Sequence, residues 1–167
     1  MKKLLCLFTF VAMLLSGCGF HLQDNEEIPK QFKTMTFYSG DPYGSLSREV
    51  KKVFINNKVK FVTSDDKHNY PSLHMMDSSM TRSTISLYQD GKSAEYQLIL
   101  TLNAQVIIAG DDIYPITIKI FRTFFDNPET ALAKSTEQNL IEQEMYGQAA
   151  RQLIRKLRSI NVIEHKN

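Results

Sequence analysis

Cysteine is nearly missing from this chain, which removes one common way of bracing a small secreted fold. Only two occur among 167 residues, Cys6 and Cys18. Residues 19–167 therefore hold no thiol to pair, and any fold they make depends on a packed core. An excess of one charge is missing too. The 20 Lys and Arg residues face 18 Asp and Glu, a balance that creates no field for nucleic acid, which is not expected as a partner. Catalytic signatures are absent: there is no G-x-S-x-G elbow, no phosphate-cradling glycine loop and no H-E-x-x-H. His21, His68, His74 and His165 are scattered, none with a second His, Cys or carboxylate at helical ligand spacing, so no metal site or cofactor is expected. Asp65-Asp66 and Asp111-Asp112 are adjacent pairs in loop segments, where side chains diverge rather than converge for acid–base work. No catalytic residue emerges, and the chain does not read as an enzyme.

What is present begins at the N-terminus. Lys2 and Lys3 precede an apolar run, Leu4 to Leu15, with no charged side chain before Asp24. The run is too short for a stable bilayer-spanning helix, which takes about 20 apolar residues. It ends in Leu15-Ser16-Gly17-Cys18. Basic start, apolar stretch and small residues predict a signal peptide over residues 1–17, cut before Cys18. A cysteine directly after the small residues resembles the bacterial lipobox, whose thiol takes a diacylglyceryl group; an ordinary signal peptide with a chance cysteine is the competing reading. On the lipobox reading Cys18 is the lipidation site, and two or three acyl chains give lasting membrane attachment where one gives only marginal hold. Loss of Lys2 and Lys3 then leaves the mature chain with equal numbers of basic and acidic residues. Gly19 stands where an Asp would resemble an inner-membrane retention signal, so the expected location is the outer membrane, on its periplasmic side. Residues 18–33 read as a lipidated tether, polar apart from Phe20, Leu22, Ile28 and Phe32.

Beyond the tether, a domain is expected over residues 34–160, with a short tail at 161–167. Thr34 to Ser39 is β-branched and aromatic and predicts a strand. Asp41 and Pro42 suit the cap and first residue of a helix, in which Leu46, Val50, Val53 and Phe54 recur at helical spacing and which Asn56-Asn57 ends. Lys58 to Val62 suits a short strand, and Thr63 to Pro71 a loop. Leu73 to Tyr88 reads as a long polar strand with weak alternation. Gln89-Asp90-Gly91-Lys92 is a hairpin turn, since Asp-Gly tolerates positive φ. Ala94, Tyr96, Leu98, Leu100, Leu102, Ala104, Val106 and Ile108 mark one face of the next strand, and only Ile99 and Ile107 interrupt the polar face opposite. Tyr114, Ile116, Ile118 and Ile120 repeat the inward pattern on a further strand, with Thr117, Lys119, Phe121 and Thr123 outward. The middle strand would span roughly 50 Å at about 3.3 Å per residue, long enough to project as a ribbon. A last helix carries an apolar stripe at Ile141, Met145, Ala149, Leu153 and Leu157, widened by Leu140, Ala150 and Ile154. Ser135 with Gln138 suits its capping box, and Thr136 is the alternative cap. Arg151, Arg155, Lys156 and Arg158 crowd its C-terminal end, where they complement the helix dipole or meet phosphate. The expected fold is α+β, a two-layer α/β sandwich of order β-α-β-β-β-α, with two helices on one face of a mixed four-stranded sheet.

Several blocks stand out in order along the chain: Cys18-Gly19-Phe20-His21-Leu22, Ser39-Gly40-Asp41-Pro42-Tyr43-Gly44, Leu46-Ser47-Arg48, Ala94-Glu95-Tyr96-Gln97, Asp112-Ile113-Tyr114-Pro115-Ile116, the run Phe121 to Pro128, Ala131-Leu132-Ala133-Lys134, and Glu144-Met145-Tyr146 continuing to Leu157. Together they resemble the LptE family of lipopolysaccharide-assembly lipoproteins. Each is weak alone; in order and spacing they cover nearly the whole mature chain. The resemblance implies the same sandwich, a role as a plug inside the outer-membrane β-barrel LptD whose assembly it assists, and binding of lipopolysaccharide on its way to the outer leaflet. It also implies basic lipopolysaccharide contacts after the last strand and at the first hairpin tip. Lys134 matches the former. At the tip Gln89 stands where similar proteins can carry Arg, and Lys92 across the turn is the candidate replacement. Phe121 and Phe125, outward aromatics, are the candidate contacts with the barrel. Two other readings are a lipoprotein that binds some other amphiphile without a barrel partner, and a hydrolase whose site is built from unremarkable residues.

Overall fold

The computed structural model describes residues 28–63, 69–108, 112–125 and 131–160, the side chains of 131–134 excepted. Its elements run β1 (Thr34–Ser39), α1 (Ser45–Asn56), β2 (Lys60–Val62), β3 (Ser72–Leu87), β4 (Ser93–Ile108), β5 (Asp112–Phe125) and α2 (Ala131–Ser159). They form one sheet of order β2-β1-β3-β4-β5. β1 is parallel to β2 and to β3, whereas β3, β4 and β5 are antiparallel. The split comes from the connections: a tight turn can join only antiparallel neighbours, and the parallel return from β1 to β3 needs a crossover, which contains α1. The α+β sandwich is as expected, but its sheet has five strands rather than four. Lys60–Val62 pairs with Thr34–Thr36 and so extends the sheet at the β1 edge.

Alternation on β4 and β5 is realised almost residue by residue. Leu98, Leu100, Leu102, Ala104 and Val106 of β4 and Ile116, Ile118, Ile120 and Phe124 of β5 are buried. On them pack Leu46, Val50, Val53 and Phe54 of α1 and Met145, Ala149, Ala150, Leu153, Ile154 and Leu157 of α2, all in one cluster. Leu140, expected to widen the α2 stripe, is instead 57% exposed, because deep burial on this helix begins only at Met145. The core also starts earlier than residue 34. Ile28 and Phe32, in the segment read as tether, are buried, and a single 3₁₀ turn over Lys30–Phe32 leads into β1.

Both helix starts differ from the sequence expectation. Asp41 does not cap α1, whose N-cap is Gly44 with no side-chain bond. Asp41 is used in the turn before it: its N–H donates to Ser39 Oγ, and its carbonyl accepts from Ser47 Oγ at 2.6 Å. A side chain at Gly44 would meet the end of the exposed Asp41 side chain, which would have to turn aside. α2 begins at Ala131, four residues before Ser135. Gln138 therefore lies inside the helix and donates to Glu142 at 2.9 Å, one turn on.

The weak alternation of β3 also has a cause. Its register against β4 shifts between Met75 and Asp77 and again around Ser86. Each extra residue reverses the in-out phase of the strand beyond it. Past Met75, β3 has no paired neighbour on the β1 side, so β3, β4 and β5 continue beyond β1 as a three-stranded ribbon.

Among the described residues one buried side-chain polar atom is left over. Thr36 is 3% exposed and its Oγ1 has no hydrogen-bond partner. A lone buried hydroxyl costs about 1–3 kcal/mol. Thr36→Val keeps the shape and the strand preference, and urea denaturation is expected to show a gain of about 1 kcal/mol. A loss of that size would mean the hydroxyl is satisfied in solution.

Candidate functional site

The ribbon ends in a tight hairpin. Tyr88 N–H donates to the Lys92 carbonyl at 2.8 Å and Gly91 N–H to the Tyr88 carbonyl at 3.0 Å, a three-residue loop closed by Gly91 at φ 83°. This is the backbone conformation that Asp-Gly predicts, since a Cβ there would be strained. Lys92 reaches back to Asp90, Nζ to Oδ2 at 3.0 Å, while its own N–H donates to Asp90 Oδ1 at 3.1 Å. Those two bonds hold the Asp90 carboxyl below its usual range. The candidate cation of the tip is thus already shared with a carboxylate. Both groups are largely exposed, so the pair holds loosely. Behind the loop, Ile85, Leu87 and Tyr88 are exposed, Ser86 Oγ donates to Glu95 at 2.8 Å, and the Arg82 guanidinium lies 4.4 Å from the centre of the Tyr96 ring.

The second surface is the sheet face opposite the core. Strand registers bring its residues into rows. Asn103 donates to Asp77 at 3.0 Å, and Thr117 donates to Asn103 at 2.9 Å, a polar rung across all three strands. Phe121, 50% exposed, stands opposite Ile99; Ile113, 57% exposed, stands opposite Ile107; and Phe125, 69% exposed, stands opposite Glu95. The two interruptions of polar alternation on β4 are therefore each matched by an outward apolar residue on β5. Eight residues of β4 separate them, roughly 26 Å at about 3.3 Å per residue. The result is a polar face with spaced apolar footholds, on the side away from α1 and α2.

Phe121 and Phe125 are thus placed on one face, and Gln89 and Lys92 at one tip, with Phe125 level with Glu95 at the base of the hairpin strand. Ile113 was not singled out in the sequence, although the Ile107 break in alternation on β4 was its signal. Lys134 lies in the first turn of α2, and its side chain is outside the described residues. Cys18 is outside them too. Among the described residues no helix is long and apolar enough to cross a membrane.

Comparison with known proteins gives one consistent picture. The family model described as "LptE: Lipopolysaccharide-assembly" matches residues 32–157. A relative from Pectobacterium atrosepticum, named LPS-assembly lipoprotein LptE, is 50% identical over 159 residues, spanning 93% of this chain and 86% of the relative. One of the same name from Yersinia enterocolitica is 42% identical over 166 residues, spanning 99% and 80%. Among solved structures, rare lipoprotein B from Shewanella oneidensis superposes with a TM-score of 0.69 at 37% identity, covering 75% of this chain and 94% of that one.

Proposed function

The chain belongs to the LptE family of lipopolysaccharide-assembly lipoproteins, which are not enzymes, and from that premise we propose that it sits inside the LptD barrel. There it assists the barrel's assembly and binds lipopolysaccharide in transit to the outer leaflet. The barrel is in the outer membrane, and the lipid on Cys18 holds the protein to that membrane from the periplasmic side. The observation that supports this most is the bare sheet face. A barrel lumen is polar, and a polar face with a few exposed aromatic and aliphatic anchors fits such a wall better than a continuous apolar patch would. The ribbon and the start of α2 carry the lipopolysaccharide contacts in this proposal: the hairpin tip, with Gln89 and Lys92, and Lys134.

The test is capture of the tagged full-length protein from outer membranes in mild detergent. A one-to-one complex with a large barrel protein is the expected result, and recovery of the lipoprotein alone would reject the barrel reading in favour of an amphiphile carrier. A Phe121→Asp/Phe125→Asp double variant is expected to lose at least about tenfold of the captured partner, since truncating an anchor typically costs over 1 kcal/mol. Its melting temperature should barely move, because exposed substitutions usually stay within about 0.5 kcal/mol.

A further inference from the structure

We propose that the cleft between α1 and α2 is an anion site for a phosphate group, separate from the hairpin tip and from the sheet face. The cleft is an open groove of about 690 Å³. Arg48 and Lys52, four residues apart, project from α1; Arg151, one turn after Gly147, projects from α2; and Arg122 reaches in from β5. Gly147 lies in the wall of the cleft. A Cβ there would lie 3.4 Å from Arg151 Nη1 and 3.7 Å from Glu49 Oε1, so the Arg151 guanidinium lies across the glycine toward α1.

The charges in the cleft do not cancel. Of its two carboxylates, Glu49 and Glu144, the first is taken by Lys52 at 3.3 Å. That leaves Arg48, Arg122 and Arg151 with Glu144. Arg48 makes one long contact, Nη2 to Ser45 Oγ at 3.4 Å. Among the described residues neither Arg122 nor Arg151 forms an ion pair. Four cations, Arg48, Lys52, Arg122 and Arg151, share the cleft with two carboxylates, Glu49 and Glu144, and that local excess of positive charge favours an added anion. The planar guanidinium forks match phosphate oxygens bidentately, which an ammonium cannot do. Tyr146 also lines the cleft, and burial, and then the Glu142 carboxylate, raise its pKa above the ordinary value. A phospholipid headgroup and a free phosphate share this chemistry. The site stands independently of the barrel reading.

Calorimetric titration of the full lipidated chain in neutral detergent tests it. The probes are inorganic pyrophosphate and, separately, dihexanoyl phosphatidic acid kept below its micelle concentration. Saturable binding of at least one probe is expected, weakened about tenfold by Arg122→Gln or by Arg151→Gln. Lys119→Gln, on the opposite sheet face, should leave it unchanged. Preference for the lipid assigns a headgroup as ligand, and preference for pyrophosphate assigns a free phosphate. If a glutamine variant fails to fold, Arg151→Lys keeps the charge, loses the fork and is expected to weaken binding by a smaller factor. Absence of saturation with both probes, or equal weakening by Lys119→Gln, would overturn the site and leave the arginines as solvated helix faces.

Discussion

Replacing Phe54 by alanine is expected to cost the fold about 3–5 kcal/mol, the usual range for a buried aromatic. The residue is fully buried, and its ring belongs to an aromatic cluster that links α1 with β1 and β2. Its ring stacks on Phe61 of β2 at 6.0 Å between centroids, and Phe61 meets Phe37 of β1 edge-on at 5.5 Å. Lys51 of the same helix lies 4.7 Å from the centre of the Phe37 ring. The Phe54 carbonyl accepts the N–H groups of Asn57 and Val59, both at 3.0 Å, and so sets the exit of α1 toward β2. β2 has three residues and pairs only with β1. Without the Phe54 ring, Phe61 keeps its edge-on contact with Phe37 but loses its stacked partner, so the edge of the sheet should loosen before the centre does. Since whole domains are stable by only about 5–15 kcal/mol, the melting temperature should fall by about 10 °C or more. Hydrogen exchange should show the loss first in β1 and β2. Destabilisation below about 1 kcal/mol would mean the aromatic cluster collapses around the gap and is not the hinge pin of that edge.

The Phe54 cluster also marks where sequence reading stops. Phe54 was legible as a core residue from its helical spacing with Leu46, Val50 and Val53, as were the inward rows of β4 and β5, because one buried face leaves a strict period. Phe61 and Lys60–Val62 were legible as a short strand, but their place in the sheet was not. A three-residue parallel edge is defined by its partner and not by any pattern of its own. Ile28 and Phe32 were invisible for a similar reason: two apolar residues amid polar ones have no period, and only the packed neighbours recruit them. On β3 a pattern existed, but three register shifts against β4 broke it. The start of α1 differs because Asp41 belongs to the turn before the helix, where its carbonyl and N–H are engaged by Ser47, Gly44 and Ser39.

The candidate site divides the same way. Composition exposed the outward phenylalanines and the Asp-Gly turn. It could not show that Lys92 folds back on Asp90, nor that Ile99 and Ile107 stand opposite Phe121 and Ile113, because both depend on register. The arginines of the α1–α2 cleft come from three distant stretches of chain, and no linear motif joins them. The proposed anchor at Cys18 is the part that a linear motif can carry, since it is read from consecutive residues.

A Cys18→Ser protein is therefore expected to lose its lipid and with it nearly all independent hold on the membrane. A serine hydroxyl lacks the nucleophilic thiolate that a lipid transfer to sulfur uses. Each buried methylene of an acyl chain contributes roughly 0.8 kcal/mol, yet a single chain binds a bilayer only marginally, at about 10⁴ M⁻¹. Stable anchoring takes at least two, so loss of all chains should lower membrane partitioning by a hundredfold or more, on the order of 3 kcal/mol. Intact-mass measurement is the direct check. The natural protein should give a mature chain beginning at Cys18 and heavier than its residues by the acyl groups, and the variant should give no such species. An ordinary signal peptide with a chance cysteine predicts something different: no added mass in either protein, and the same processing in both. Contact with a barrel partner could keep the unlipidated chain in the membrane fraction, which is why the measurement is repeated in the Phe121→Asp/Phe125→Asp background. There, with both the lipid and the sheet-face anchors removed, the protein should appear in the soluble fraction. Retention in that background, with the acyl mass absent, would mean that some third surface of the domain holds it to the membrane.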